Sequence, residues 1–79
     1  MNKHTRYFHY SDITVHDHLS DMGDIHFDNV AEAGKWFYDH GLAASENAAR
    51  TGVYYLLEGR MKHYRYFWIV GYTAVAVRF

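Results

Sequence analysis

The chain has 79 residues, a formal net charge of −1 at pH 7 and no cysteine. A chain of this length builds one hydrophobic core and has little material left for a deep, enclosed active site. The absence of cysteine excludes disulfides, thiolate zinc sites and cysteine nucleophiles, and it is compatible with a reducing cytoplasm. Aromatic residues make up 19% of the chain, which favours a folded domain because each ring buries a large apolar area.

The sequence predicts no targeting or membrane-spanning segment. Residues 1–6 lead into aromatic residues and histidine rather than into the roughly 7–15 apolar residues of a signal peptide. The longest apolar stretch, residues 66–76, is shorter than the roughly 20 residues that span a bilayer. We therefore expect one cytoplasmic domain, residues 1–79, with no membrane partner.

The first part of the chain predicts two strands. Residues 5–10 and 12–16 are typical of strands, and in the second of these segments apolar and polar side chains alternate. A bulge or turn is expected between them at Ser11-Asp12. Residues 17–24 are polar and contain a glycine, which is typical of a loop, and a short second strand is predicted at residues 25–27.

The pattern after Asn29 predicts the main helix, at residues 29–40. Asn29 is a good N-cap, and Glu32 stands three residues later, as in a capping box. Apolar side chains recur at helical spacing, at Val30, Ala33 and Phe37. Gly34 costs about 1 kcal/mol relative to alanine in a helix interior, so we expect the helix to approach the sheet closely there.

The C-terminal half predicts mainly strands. Residues 45–50 have the composition of one or two helical turns ended by Gly52. Two β-prone runs then follow at residues 53–57 and 61–70, and the turn signal Glu58-Gly59 between them predicts a hairpin.

A bend at Gly71 separates a last predicted strand, residues 72–78, from this hairpin. The predicted fold class is therefore α+β: an antiparallel sheet of four to five strands with one main helix packed on one face, in the order ββα(α)βββ.

Charge is distributed unevenly along the sequence. Residues 1–40 hold seven of the nine acids but three of the eight bases, and no lysine or arginine occurs between Tyr7 and Gly34. This segment therefore predicts a negative surface that steers a basic partner. The alternative is a solvated acidic loop that maintains solubility. The candidate partner-binding acids are Asp12, Asp17, Asp21, Asp24 and Asp28.

Histidines in the same segment suggest a metal site or a response to pH. His16 and His18 share a face of a strand, and they could chelate a transition metal if His26 or Asp24 supplied a third ligand. The alternative, which the low specificity of such pairs favours, is that the neighbouring carboxylates make partner binding sensitive to pH. We therefore predict no metal and no cofactor.

The segment from Arg60 to Trp68 combines basic and aromatic residues. On a strand, one face would carry Arg60, Lys62, Tyr64, Tyr66 and Trp68, while Phe67 and Ile69 would point the other way. Such a face suits the stacking of nucleic-acid bases, and it equally suits a protein interface. The alternative is that one of the two faces is core. A net charge near zero disfavours a dedicated nucleic-acid binder.

The sequence contains no recognisable catalytic motif. It has no Gly-rich phosphate loop and no G-x-S-x-G elbow, and nothing distinguishes one His/Asp pair from another. We therefore expect a protein that is not an enzyme.

One short passage carries a resemblance to a known class. Phe27-Asp28, followed by Ala33, Trp36, Phe37 and Tyr38, resembles the strand exit and helix of some phage-encoded anti-CRISPR proteins of similar length. After Gly52 the predicted strands depart from that class, in which a second helix would be expected. The resemblance implies a small protein of a phage or mobile element that blocks a host complex through surface contact.

Three hypotheses about partners follow. The leading one is a non-enzymatic module that binds a host protein or complex, as a phage or mobile-element inhibitor of a defence or nucleic-acid-handling machine, through acids and aromatic anchors. The second is an accessory protein that binds nucleic acid through the basic-aromatic segment. The third is a homodimer formed through residues 72–79, an edge strand that only Arg78 guards.

Overall fold

Three antiparallel strands form a sheet, and two helices pack on one of its faces. A computed structural model describes residues 6–19 and 23–78, which contain β1 (Arg6–Asp17), β2 (Asp24–Asn29), α1 (Val30–Asp39), α2 (Glu46–Leu57) and β3 (Phe67–Arg78). The strands are ordered β2-β1-β3, so β1 is central. The predicted α+β class is confirmed, but the described residues form three strands and two helices instead of four to five strands and one main helix.

β1 contains the bulge that the sequence predicts at Ser11-Asp12. The pairing register between β1 and β3 shifts on both sides of Thr14, and Asp12 adopts a φ of 50°. Because side chains alternate across a strand, an inserted residue reverses the face that the following residues occupy. Tyr10 and Ile13, three positions apart, therefore both point into the core.

The predicted helix at residues 29–40 is confirmed as α1. The Asn29 side chain accepts a hydrogen bond from the Glu32 amide at 2.8 Å, and the Glu32 carboxylate accepts one from the Asp28 amide at 3.4 Å. The chain leaves the helix at Gly41, whose φ of +73° suits a glycine C-terminal stop. The expected apolar stripe is buried: Val30, Ala33 and Phe37.

Residues 53–57, predicted as a strand, belong to α2. Ser45 caps this helix, and its hydroxyl accepts a hydrogen bond from the Ala48 amide at 3.0 Å. Burial of a helical stripe outweighs the strand preference of β-branched and aromatic residues, which spans only about 1 kcal/mol. The helical turns predicted at residues 45–50 are thus the start of a longer helix. Its buried stripe consists of Ala49, Gly52, Val53, Leu56 and Leu57.

Two glycines allow close packing around the helices. A Cβ at Gly34 of α1 would lie 2.5 Å from Cγ of Arg50 in α2, so this glycine serves helix–helix contact and not the predicted approach to the sheet. A Cβ at Gly52 of α2 would lie 2.6 Å from the ring of Tyr64. Gly52 therefore lies inside α2 under a ring, whereas the sequence suggests that it ends a helix.

One strand, β3, replaces the predicted strands at residues 61–70 and 72–78. The connection before it is irregular, and a tight turn there gives two backbone hydrogen bonds between Tyr64 and Phe67, of 2.9 and 3.0 Å. β3 begins at Phe67 and passes through Gly71 without ending, because β1 supplies a partner along its length. Gly71 therefore does not separate two strands, although a register shift against β1 lies beside it, between Ile69 and Gly71.

The core between the sheet and the helices is dominated by aromatic rings. Phe37 of α1 is fully buried, and its ring centroid lies 5.0 Å from that of Phe67 and 5.5 Å from that of Tyr64. Phe27 and Trp36 extend this cluster, with their centroids 5.8 Å apart. Full burial of a Phe side chain is worth about 1.5–3 kcal/mol, so these rings supply a large part of the stability.

One end of the sheet has only two strands. β2 pairs with β1 from Ser11 onward, so residues 6–10 of β1 pair, within the described part of the chain, with residues 74–78 of β3 alone. We call this segment the two-stranded ribbon. Phe8 and Val75 in it are apolar, yet they are 47% and 56% exposed. Phe8 lies on the helix side of the sheet, as Tyr10 does, and Val75 lies on the opposite side, so both faces of the ribbon are partly open to solvent.

Candidate binding surfaces

The side of the sheet opposite the helices forms a surface that we call the outer face. Phe67 of β3 and Val15 of β1 point into the core, so their neighbours Trp68 and His16 point outward. β2 contributes alternate residues in the same way, and Asp12 joins them at the bulge. The outer face carries Asp12, His16, Asp24, His26, Asp28 and Trp68.

Trp68 is the centre of an aromatic cluster on the outer face. Its ring centroid lies 4.7 Å from that of His18 and 5.9 Å from those of His16 and His63. The His16 ring is nearly parallel to the indole, with an interplanar angle of 17°. Trp68 nevertheless remains 36% exposed. The imidazoles thus support an indole whose remaining surface is open to a partner.

The carboxylates of the outer face are paired with histidines. Nδ1 of His16 lies 2.9 Å from Oδ1 of Asp24. His26 lies between two acids, with Nε2 3.7 Å from Oδ1 of Asp12 and Nδ1 3.9 Å from Oδ1 of Asp28. Among the side chains of residues 8–19 and 23–77, no lysine or arginine forms an ion pair with these three acids. On the described part of the outer face, the carboxylates are therefore not balanced by lysine or arginine.

Two of the five acids predicted to contact a partner differ from the other three. Asp17 is 7% exposed at the end of β1, where its carboxylate accepts a hydrogen bond from the Leu19 amide at 3.0 Å. The predicted surface role of Asp17 is therefore wrong, because burial makes it a structural group. Asp21 lies outside the described residues. The three predicted acids that share the outer face are Asp12, Asp24 and Asp28.

The histidines that the sequence offers as metal ligands have separate neighbours. His16 bonds to an aspartate on β2, and His18 packs against the indole. A different group, Asp12, His26 and Asp28, places one donor atom of each residue within 4.8 Å of the others. His26, however, directs a different ring nitrogen toward each carboxylate, so the imidazole bridges the two acids. This geometry favours a side-chain network over a metal site.

The predicted basic-aromatic face, with Arg60, Lys62, Tyr64, Tyr66 and Trp68, does not form, because the segment before β3 is not a strand. Tyr64 is packed into the core, and its hydroxyl donates a hydrogen bond to the Leu42 carbonyl at 3.2 Å. Arg60 lies over the Tyr55 ring, 5.4 Å from its centroid. Trp68 lies on the outer face, on the opposite side of the sheet. The prediction that Phe67 and Trp68 lie on opposite faces is confirmed, and the structure places Phe67 on the buried face and Trp68 on the exposed one.

The exposed side of α2 forms a second surface. The sequence did not predict this surface, because residues 53–57 were expected to form a strand. Opposite the buried stripe, this side carries Asn47, Arg50, Thr51 and Tyr54. Residues 40–45 join α1 to α2, and the Leu42 carbonyl in this turn accepts hydrogen bonds from Oη of Tyr64 at 3.2 Å and Nε of Arg65 at 2.9 Å. The helix pair is thereby fixed to the connection that leads into β3.

The described basic side chains lie apart from the acids of the sheet, although Glu32, Asp39, Glu46 and Glu58 accompany them on the helical side. The described lysine and arginine side chains all lie on the helices or on the connection between α2 and β3: Lys35, Arg50, Arg60, Lys62 and Arg65. The described acids of the sheet are Asp12, Asp17, Asp24 and Asp28. Among the described side chains, the sheet therefore carries acids without a lysine or arginine, whereas the helical side carries both signs of charge.

A groove of 890 Å³ lies between α2 and the two-stranded ribbon. Phe8 and Tyr72 line it on the strand side and Tyr54 on the helix side. The Tyr10 ring lies 5.7 Å from the Tyr72 ring and 6.1 Å from the Tyr54 ring, by centroid distance. Burial, and then the negative charge of Glu58, raises the pKa of the Tyr10 hydroxyl. Tyr10 is therefore a neutral wall of this groove at physiological pH.

No helix within residues 6–19 and 23–78 is long and apolar enough to cross a membrane. No family model, curated protein or solved structure matches the chain.

Proposed function

We propose that the protein is a non-enzymatic protein-binding module whose outer face contacts a basic partner protein. The observation that carries the proposal is the convergence of acids and an exposed tryptophan from three strands. Asp12 lies on β1, Asp24 and Asp28 on β2, and Trp68 on β3. These residues are distant in sequence, and only the strand pairing brings them to one surface.

Trp68 is the proposed anchor of this contact. Tryptophan is over-represented among the few residues that dominate interface energies, and such residues are surrounded by neighbours that exclude water. The imidazoles of His16, His18 and His63 provide those neighbours at centroid distances of 4.7–5.9 Å. A partner that covers the indole would therefore meet a side chain whose position is already fixed, which lowers the entropy cost of binding.

The acids are proposed to steer and orient the partner. Within the described residues, the outer-face carboxylates have histidine partners and no ion pair with lysine or arginine. A surface of one sign of charge accelerates encounter with an oppositely charged partner and disfavours acidic ones. The exposure of these groups suits a macromolecular contact better than an enclosed small-molecule site.

A more specific form of this proposal is inhibition of a host defence or nucleic-acid-handling complex. Proteins that hold nucleic acid present basic grooves, and a set of carboxylates on a sheet face offers such a groove negative charge in place of phosphates. The anti-CRISPR resemblance around residues 27–38 motivates this form. It stays a prediction that the identity of the partner will test.

Affinity capture from a bacterial lysate tests the binding proposal when variants are compared quantitatively. Proteins captured by the wild type should be depleted by Trp68→Ala and by the combined changes Asp12→Asn, Asp24→Asn and Asp28→Asn. Tyr38→Ala is the control, because Tyr38 is also an exposed aromatic residue but lies on α1. If no captured protein depends on Trp68 and the three acids while tolerating Tyr38→Ala, the proposal is wrong.

A second candidate function, nucleic-acid binding, is favoured by the helix pair and not by the predicted strand face. α1 and α2 are consecutive helices joined by residues 40–45, and DNA-binding proteins often place one exposed helix of such a pair in the major groove. The exposed side of α2 offers Asn47, Arg50 and Thr51, side chains of the types that contact bases and phosphates. The acidic outer face would point away from the duplex.

Fluorescence anisotropy with a labelled DNA duplex distinguishes the two functions. Binding through α2 should weaken when Asn47→Ala and Arg50→Gln are combined, and it should weaken further as salt rises. Trp68→Ala should leave it unchanged, because Trp68 lies on the other side of the sheet. An absence of binding at low salt, or a dependence on Trp68 in place of α2, would reject this second function.

A further inference from the structure

The outer edge of β3 is the longest open strand edge in the described part of the chain. β3 runs over 12 residues, and within residues 6–19 and 23–78 its strand partner is β1 on one side only. The turn at Tyr64 uses the amide and carbonyl of Phe67, which closes the edge at its first residue. Beyond that point the edge presents backbone donors and acceptors that a further strand can bond.

Both strands of the two-stranded ribbon carry large apolar side chains that are about half exposed to solvent. Phe8 and Val75 of the ribbon, and Tyr72 next to it, are between 47% and 56% exposed, and β2 does not reach this end of β1. A two-stranded antiparallel ribbon is marginally stable in water, and a third strand or a covering layer is normally needed. Within residues 6–19 and 23–78, the ribbon therefore has no neighbouring strand along the β3 edge.

We propose that this neighbour is a second copy of the chain, whose β3 pairs antiparallel with the first across a two-fold axis at Val75. The two sheets then join into one continuous sheet of six strands. The ribbon becomes the four-stranded centre of the dimer, with order β1-β3-β3-β1. An axis at Val75 keeps the pairing within residues 72–78, which lie beyond the irregular region where β3 meets the bulge of β1.

The charge pattern of β3 favours a second copy over a charged partner. β3 contains no acid, and its single base is Arg78 at its end. In the antiparallel register centred on Val75, the two Arg78 residues lie at opposite ends of the pairing, so no like charges face each other. A parallel pairing would place the two arginines side by side.

The side-chain pattern is self-complementary in the same register. Val75 faces Val75 of the other copy, and Thr73 faces Val77, so that β-branched residues pair along one face of the sheet. Ala74 faces Ala76 on the opposite face, where small side chains allow close approach. β-branched pairs of this kind are among the stabilising cross-strand contacts.

Light scattering of the purified protein measures the proposed dimer directly. The wild type at about 100 µM, a concentration at which a dimer with a dissociation constant of about 1 µM is almost fully assembled, should have twice the 9.3 kDa mass of one chain. Val75→Lys should give a monomer, because it places two like charges opposite each other at the axis. Val70→Lys is the matched control: Val70 is 55% exposed against 56% for Val75, lies on the same strand, and falls outside the proposed pairing.

Single cysteines provide a second test that does not depend on a destabilising change. The natural chain has no cysteine. Val75→Cys should form a disulfide-linked dimer rapidly in air, since residues that face each other across an antiparallel pair have the Cα separation that a disulfide requires. Val70→Cys should crosslink at least about tenfold more slowly, because a two-fold axis at Val75 holds the two copies of residue 70 far apart.

Each outcome decides the proposal. A monomeric wild type at this concentration overturns it, and so does a dimer that survives Val75→Lys. A dimer that Val70→Lys disrupts, or cysteines that crosslink equally well at both positions, would place the contact elsewhere on the chain. Either function proposed above can fail without affecting these results, because the outer-face acids, Trp68 and α2 are not part of the pairing.

Discussion

The two halves of the β1–β3 pair differ in what surrounds them. Near Val15 and Phe67, β2 extends the sheet and the helices cover it, so that apolar side chains are fully buried. Near Phe8, β2 does not extend the sheet, and this apolar side chain remains about half exposed although it lies on the helix side, as Val15 and Phe67 do. Strand pairing is the same in both halves, so the difference in burial comes from the third strand and the helices.

Truncation of a buried ring should separate the two halves most clearly. Phe37→Ala should lower the free energy of unfolding by about 3–5 kcal/mol, since Phe37 is fully buried among other rings. Phe8→Ala in the ribbon should cost about 1 kcal/mol, because its side chain is only half buried. Urea unfolding at low protein concentration measures both. Equal losses would show that the ribbon is as well packed as the core.

A methyl group added under the Tyr64 ring should give the next largest effect. Gly52→Ala should destabilise the protein by about 1–3 kcal/mol, because the new Cβ would lie 2.6 Å from the ring and force it to move. The exposed neighbour Thr51→Ala should be neutral or slightly stabilising, since alanine has the higher helix propensity. Thermal unfolding compares the two. A neutral Gly52→Ala would mean that the helical layer does not hold Tyr64 tightly.

Loss of the α2 cap should produce a smaller change in the covered half. Ser45→Ala removes the hydroxyl that accepts from the Ala48 amide at 3.0 Å, and it should cost about 1 kcal/mol. Ala44→Ser is the control, because it adds a hydroxyl one residue before the cap. Far-UV circular dichroism during urea unfolding reports both. A cost far below that of a typical cap would indicate that α2 is stabilised by its packing alone.

The smallest expected effect lies where the ribbon meets the core, at Tyr10. Burial raises its pKa in the folded state above the ordinary value of 10.0, so the unfolded chain releases this proton first as pH rises. The resulting stabilisation is complete below about pH 10 and is lost as pH rises through the folded pKa. Between pH 8 and pH 11, the melting temperature should therefore fall less in Tyr10→Phe than in the wild type. Tyr38→Phe, at an exposed position, should show the same fall in melting temperature as the wild type.

Local signals in the sequence predict the first half of the fold well. The Asn29 cap and the apolar spacing behind it identify α1, and the Ser11-Asp12 pair identifies the bulge in β1. These features depend on residues that lie within one or two turns of one another. Tertiary contacts change these features little, so the sequence alone predicts α1 and the bulge in β1.

The second half depends on contacts that the sequence does not display. β-branched and aromatic residues at 53–55 favour a strand, but Ala49, Val53 and Leu56 bury together only as a helix on α1. Likewise, Tyr64 leaves the predicted strand face because Gly52 provides room for its ring. In both cases, the local structure depends on a residue that is distant in the sequence and packs against the segment.

The sequence predicts which types of residue form the candidate site, but it does not predict how they are arranged in space. Alternation along β3 correctly separates Phe67 from Trp68, and the acids of the first half are evident in the sequence. Their meeting on the outer face requires the pairing of Thr14 with His26 and of His16 with Trp68. Strand register of this kind follows from the assembled sheet, so the burial of Asp17 could not be foreseen.

The register shifts beside Thr14 have a consequence for how this sequence can change over time. Ser11 pairs with Thr73 and Val15 with Ile69, so both strands advance by four residues across the irregular region. The extra residue of β1 is thus balanced by an extra residue of β3. Deletion of Asp12 alone would shift every residue of the ribbon out of register, whereas deletion of Asp12 together with Val70 would restore an uninterrupted ladder. A deletion in one of these two strands therefore preserves the β1–β3 register of the ribbon only when a second deletion in the other strand compensates for it.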